Sequence, residues 1–280
     1  MDRLAMTAKT GVMHMNPEKG CAFLITGGSS GLGWEVARRL LDRGCSVGLM
    51  ARNEKRLTEA VSLLNVEASR VVACVGDAAE PEACSRAVKM MTDAFGGLNG
   101  LVCCAGMSMR ASVESTEFQI AENVMRANFW TVFHATQAAL PSVLARKGSL
   151  VAVASLAGHR GVPGYGVYGA AKRAVIGLYE SLRLEVSDAG VHVGIFSPGF
   201  FESPLRRQVL NGKGEVIDPP PSLPFRLWPL DRCADLVVQS LERRKRLVYL
   251  PGFMRYLNAF DDVTGGGLGD RFLKSRFRGL

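Results

Sequence analysis

No stretch of this sequence approaches the ~18 uninterrupted apolar residues of a membrane span. Its most apolar helical segment, FWTVFHATQAALPSVLA, is broken by His134, Gln137 and Pro141. Residues 1–19 lack the continuous apolar core of a secretion signal, so they read as a mobile tail, and the protein is expected in the cytoplasm. No metal site is expected: no two cysteines stand at metal-ligand spacing, and His14, His134, His159 and His192 are scattered. The seven cysteines (Cys21, Cys45, Cys74, Cys84, Cys103, Cys104 and Cys233) are odd in number and mostly in apolar runs, which predicts buried free thiols in a reducing compartment. There is no short-period repeat or low-complexity tract, which excludes a repeat architecture.

What remains is ordinary globular material. At 280 residues, 48% apolar and 21% charged, the chain has the length of one sizeable α/β domain rather than two. Its charge is uneven. Residues 243–280 hold nine basic residues against three acidic ones, so +6 of the net +8 lies in this tail. Phe253, Met254, Tyr256, Leu257, Phe260, Phe272, Leu273 and Phe277 are interleaved with the charges. Two readings of the tail stay open: a solvated basic face whose apolar residues pack on the domain, or an amphipathic surface for an anionic membrane. Nucleic acid is a poorer partner, because no recognition motif accompanies the charge.

Apolar runs alternate with helix-period segments from Cys21 onward, the pattern of a parallel sheet covered by helices on both faces. Strands are predicted at 21–25, 46–50, 70–75, 99–103, 148–154, 191–196 and 246–250, with helices starting near 31, 53, 80, 118, 166 and 231. Gly44 is placed to end the first helix and Asp231 to cap the last. The prolines of 199–230 leave one long interruption, of a length usual for a lid or binding loop.

Two motifs carry chemistry. Residues 26–33, TGGSSGLG, follow the apolar run CAFLI and precede the helix-like WEVARRLLDRG. Glycine permits a tight turn and close approach to an anion, and the next helix N-terminus offers unpaired N–H groups, as a pyrophosphate requires. Farther on, Tyr168 and Lys172 stand one helical turn apart in YGVYGAAKRAVIGL, with Ser155 at the end of the run VAVAS. A phenol loses its proton near pH ~10, and a cation about 4 Å away at an effective dielectric of ~20 contributes roughly 4 kcal/mol, or ~3 pKa units. Such a tyrosine is expected to exchange protons near neutrality. Tyr165, three residues earlier, has Gly169 rather than a lysine four positions on.

Together with Asp77, CCAG at 103–106, Asn128, Pro198 and Gly199, these motifs make the chain similar to the short-chain dehydrogenase/reductases from about residue 20 to about residue 250. The resemblance implies a doubly wound, three-layer Rossmann α/β sandwich with a seven-stranded parallel sheet. It would occupy 20–252, with a substrate lid at 199–230 and a basic amphipathic extension at 253–280. It implies a dinucleotide held by Gly27, Ser29, Ser30, Gly31, Leu32 and Gly33, and by Asp77, Ala105, Gly106, Pro198, Gly199 and Ser203. Ser155 would orient a substrate carbonyl and Tyr168 would donate the proton. Lys172 would lower the phenol pKa and bind the nicotinamide ribose, and Asn128 would serve a proton relay. Two cysteines replace the family's paired asparagines before Ala105, which puts local rigidity in question. Where an acidic residue would hold the ribose of NAD, the second strand ends in Ala51 and Arg52, so NADP(H) is the expected cofactor. The alternatives are plainer: Arg52 as a solvated residue entering a helix, Asp77 as a loop cap, and Asn128 as a satisfied core amide.

The loops expected around the reacting carbon carry Met107, Met109, Phe200, Phe201, Leu223, Phe225, Leu227 and Trp228, which suits a hydrophobic ketone, whether lipid-like, steroid-like or xenobiotic. The favoured reading is an NADPH-dependent ketoreductase. The rival is a nonenzymatic dinucleotide-binding protein recruited by its basic tail. By resemblance the protein is a homodimer or homotetramer packed through helices near 118–146 and 166–187.

Overall fold

The computed structural model describes residues 20–218, 223 and 225–277. The expected mobile tail at 1–19 lies outside the described residues, as do most of the proline run and Arg278. Seven parallel strands form one sheet: β1 Ala22–Thr26, β2 Ser46–Ala51, β3 Val71–Val75, β4 Gly100–Cys103, β5 Ser149–Val153, β6 His192–Pro198 and β7 Leu247–Leu250. Their order, β3-β2-β1-β4-β5-β6-β7, reverses between β1 and β4, so a crevice opens beyond the carboxyl ends of these two strands.

Every residue of β1 and β5 is buried, as expected of strands covered on both faces. On one face Leu24, Leu101 and Leu150 meet Met91 of α3 (Pro81–Phe95) and Val175 and Tyr179 of α6 (Gly166–Glu185). On the other, Phe23, Ile25 and Val151 meet Val36 and Leu40 of α1 (Gly31–Asp42) and Val237 of α7 (Leu230–Glu242). At roughly 2 kcal/mol per fully buried large side chain, these two layers are the main stabilising term. α2 (Glu54–Ser62) is capped by Asn53, whose side chain accepts from the Arg56 N–H. α4 (Phe118–Met125) and α5 (Thr131–Ala145) form a long rod interrupted by a π turn over Arg126–Trp130. Two further helices, α8 (Met254–Val263) and α9 (Gly267–Arg276), end the described chain.

Several expectations change. Cys21 and Cys45 form a disulfide, leaving five free cysteines among the described residues. They precede β1 and β2 directly, and the parallel register that pairs Ala22 with Ser46 brings their Cα atoms to 4.8 Å. Cysteine usage therefore gives no argument for a reducing compartment. Gly44 ends α1 with φ +81 as predicted, but Asp231 does not cap α7. Pro229 holds the cap position and Asp231 lies within the first turn, where its carboxylate accepts from the Arg232 N–H at 2.6 Å. The 199–230 segment is not wholly irregular either: a 3-10 turn spans Pro204–Gln208, and Phe201 bridges Trp228.

Candidate active site

The glycine turn is shaped by backbone proximity. Gly27 has φ +69, and a Cβ there would lie 2.8 Å from the Ala105 nitrogen. A Cβ on Gly33 would lie 2.5 Å from the Gly27 oxygen. Larger residues would fill the cradle. Thr26, buried at the end of β1, accepts from the Ala105 N–H through its hydroxyl, which ties the turn to the 104–106 segment. Ser30 precedes α1 in extended conformation without capping it through its side chain, so the first N–H groups of the helix face the crevice uncapped. The cysteines that stand in the asparagine positions leave the strand end braced. Cys104 donates its N–H to the Thr26 carbonyl, and the Cys103 sulfur contacts the Tyr179 hydroxyl, itself bonded to Thr136.

A cleft of about 1520 Å³ runs from this turn along the carboxyl edge of the sheet. All the predicted catalytic and cofactor residues line it: Gly27, Ser29, Ser30, Gly31, Leu32, Gly33, Arg52, Asp77, Ala105, Gly106, Asn128, Ser155, Tyr168, Lys172, Pro198, Gly199 and Ser203. At one end Asp77 is held below the usual carboxylate range. Burial alone would raise it, but the Ala79 N–H and the Arg126 guanidinium, 2.7 Å away, outweigh that effect. Arg126, from the π turn, also pairs with Glu80. The sequence reading missed Arg126, because nothing in its spacing announces a residue reaching across to the β3 loop.

At the centre, Ser155 stands two residues beyond β5 at the start of a 3-10 turn, where its oxygen accepts from the Ala157 N–H at 3.2 Å, and Tyr168 lines the same cleft. The Lys172 ammonium donates to the Val153 carbonyl at 3.0 Å and lies 5.9 Å from the Tyr168 ring centre. The expected phenol pKa near neutrality is not met. Burial pushes Tyr168 up to about 12 despite the opposing influence of the Ser155 hydroxyl, and burial brings Lys172 down to about 8. The lysine is anchored to the strand rather than spent on the phenol. At neutral pH the Tyr168 hydroxyl therefore keeps its proton. Asn128 is fully buried in the π turn, where its amide donates to the Met107 and Val124 carbonyls and accepts from the Met107 N–H. A Cβ on Gly106 would meet that amide oxygen at 2.7 Å and the Lys172 nitrogen at 3.6 Å. Asn128 thus braces the floor of the cleft beside the lysine.

The "short chain dehydrogenase" family description matches residues 22–214, more than half of the chain. The chain belongs to the short-chain dehydrogenase/reductase family. Among its relatives is the "11-beta-hydroxysteroid dehydrogenase 1A" of Arabidopsis thaliana, 32% identical over 84% of this chain and 70% of that protein. The "11-beta-hydroxysteroid dehydrogenase-like 4A" of the same plant is 34% identical over 85% and 79%. A solved dehydrogenase/reductase from Sinorhizobium meliloti 1021 superposes with a TM-score of 0.70 at 26% identity, covering 81% of this chain and 92% of its own. A short-chain type dehydrogenase/reductase from Mycobacterium ulcerans, at 23% identity and TM-score 0.72 over 82% and 87%, shares the fold. As a family member the protein is an oxidoreductase acting on CH–OH groups with a nicotinamide dinucleotide. The glycine cradle and the uncapped start of α1 fit that cofactor.

Beyond Tyr168 the cleft of this short-chain dehydrogenase becomes aromatic. Phe200 packs on Tyr165, Phe225 and Phe277 with ring centres 6.1, 6.4 and 6.5 Å apart. Tyr165, the rival tyrosine, is a wall residue, buried with its pKa raised by that burial. Of the residues expected here, Met107, Phe200, Phe201, Phe225, Leu227 and Trp228 line the cleft. Met109 does not; it is 1% exposed and packs under the floor with Val124 and Ala171. Leu223 is also absent from the lining. The unexpected contribution comes from α8 and α9, which supply Met254, Leu257, Phe260, Phe272 and Leu273, with Phe277 just beyond. The open question about the tail is answered in part: Phe277 packs on the domain at 5% exposure, whereas Phe253, Tyr256, Phe260 and Val263 stay exposed.

Proposed function

We propose that the protein reduces a hydrophobic, steroid-like ketone with NADPH. The observation that carries this reading is the continuity of the cleft: the dinucleotide cradle, Ser155 and Tyr168 open into one aromatic chamber. The names of the plant relatives point to the same substrate class. Ser155 would hold the carbonyl oxygen by its hydroxyl, and Tyr168 would pass its proton to that oxygen as the carbonyl carbon is reduced. The cofactor supplies the hydride. Lys172 would hold the ribose hydroxyls with its ammonium, which stays charged below its pKa of about 8. Asn128 would keep the 105–107 segment in place beside it and serve the proton relay behind the lysine.

The preference for NADPH is supported by the end of β2. Ala51, Arg52, Asn53 and Arg56 line the cleft there with no carboxylate among the four, and the nearby Asp77 is paired with Arg126, so a 2′-phosphate meets guanidinium. Comparing kcat/KM for NADPH and NADH with one polycyclic ketone tests this. The expectation is at least ~10-fold in favour of NADPH, the worth of one charge-assisted contact. Equal use of NADH would remove Arg52 from this role, and no turnover across a ketone and alcohol panel would remove the reductase.

The exposed apolar face of α8, flanked by Arg255, Arg271, Lys274 and Arg276, supports contact with an anionic bilayer. Sedimentation of the full chain with phosphatidylserine vesicles, and not with neutral ones, is the expected result. Trp130 and Phe118, 43% and 77% exposed on the α4–α5 rod, support a homodimer or homotetramer through this rod and α6. Light scattering should give twice or four times the monomer mass.

A further inference from the structure

The residues that close the far end of the cleft lie outside the 22–214 span shared with the family, yet they are fastened to its catalytic loop. That loop runs from Ser155 to Tyr168, and two adjacent residues on it reach the C-terminal segment. His159 contacts the Tyr249 hydroxyl at 3.2 Å on one side and the Ser197 hydroxyl at 2.9 Å on the other. Arg160 donates to the carboxylate of Asp261 on α8, with Asp270 of α9 a further 3.8 Å contact. The Arg160 and Asp261 side chains are only 16% and 12% exposed. An ion pair so shielded is not the weak surface kind, and removing one partner leaves an uncompensated charge. The Arg160 Nε itself has no hydrogen-bond partner among the described residues.

Asp261 also organises the turn that joins the two helices. Its second oxygen accepts from the Gly269 N–H at 3.1 Å, and its carbonyl accepts from the Gly266 N–H at 2.8 Å. Gly265 and Gly266 have φ +75 and +82, which lets the chain reverse there. At Gly269 a Cβ would strike the Arg160 guanidinium, so the guanidinium fills the space a side chain would need. Arg160, Asp261 and Gly269 all border the cleft.

We infer that Arg160 and Asp261 form a clasp that holds α8 and α9 over the substrate end of the cleft and thereby sets the size of the carbonyl compound admitted. This rests on the reductase reading for its substrate, but the clasp itself does not depend on turnover. Both are positioning residues: they fix the helices that carry Met254, Leu257, Phe260 and Phe272, and those side chains would touch the substrate.

The test uses the full chain with Arg160→Ala, Asp261→Asn and the reversed pair Arg160→Asp with Asp261→Arg. Hydrogen exchange over 254–277 is measured alongside KM and kcat for ketones of one to four rings and the Kd of NADPH. Each single variant should speed exchange over 254–277 at least ~10-fold, the effect of unpairing a shielded ion pair. Each should also weaken the dependence of KM on ring number, while the NADPH Kd, set at the other end of the cleft, stays unchanged. The reversed pair should recover most of both losses. Unchanged exchange in the single variants overturns the clasp, and so does an unchanged KM ranking in variants whose exchange has risen. Should the unaltered protein reduce no ketone, the reductase reading falls while the exchange result still decides the clasp.

Discussion

The two ends of the cleft are built from different materials. The dinucleotide end is made of backbone: Gly27, Gly33 and Gly106 leave no room for a Cβ, and Thr26 and Asn128 bond main-chain groups around them. The substrate end is made of side chains from separate segments, with Phe200, Phe225 and Phe277 packed on Tyr165 and two C-terminal helices laid across. Backbone geometry tolerates few residues, whereas a wall of rings tolerates many. On the proposed reading, the first end holds the cofactor the whole family uses, and the second selects the compound this member acts on.

Breaking the centre that both ends share should cost most. Tyr168→Phe is expected to lower kcat by ~10³-fold, within the range for loss of a general acid, with NADPH still bound in a fluorescence titration. Normal turnover by this variant would hand the proton to another group. At the dinucleotide end, Gly33→Val should weaken NADPH binding by ~10–100-fold, because its Cβ meets the Gly27 carbonyl and overpacking costs about 1–3 kcal/mol. An unchanged Kd by calorimetry would show that the cradle is not the binding seat. At the substrate end, Phe200→Ala should raise KM for a polycyclic ketone by ~10-fold through lost ring contacts, with NADPH Kd unchanged. A loss of NADPH affinity instead would erase the division between the two ends.

The smallest effect at neutral pH concerns the scaffold under both. His192, 7% exposed at the start of β6, has its pKa lowered to about 4, chiefly by burial. The unfolded chain takes up its proton near pH ~6.5 and the folded chain only near 4, so stability falls as pH drops through that window. The loss amounts to on the order of 3 kcal/mol. Urea melts of His192→Leu should show a flatter acid limb between pH 6.5 and 4, and an unaltered limb would mean that other groups carry it.

The same contrast explains what the sequence disclosed. All seven strands and the glycine turn were legible, because apolar runs and glycine spacing report local backbone requirements. Ser155, Tyr168 and Lys172, named from helical spacing and the end of the run VAVAS, line one cleft. Arg126, Arg160 and Asp261 were not legible, because each acts through a partner far along the chain, from 46 to 101 residues away. The Cys21–Cys45 bond was missed for a related reason: only the strand register shows that two residues 24 apart are neighbours. The phenol pKa went the other way because spacing gives the neighbour but not the burial, nor the carbonyl of Val153 that holds the ammonium.

The most direct measurement is a crystal structure of the protein with NADPH and a non-reducible analogue of a polycyclic ketone. The account predicts the analogue's oxygen at about 3 Å from both the Ser155 and Tyr168 hydroxyls, with its rings among Phe200, Phe225 and Phe277. An analogue seated elsewhere, or a nicotinamide that does not face Tyr168, would contradict it.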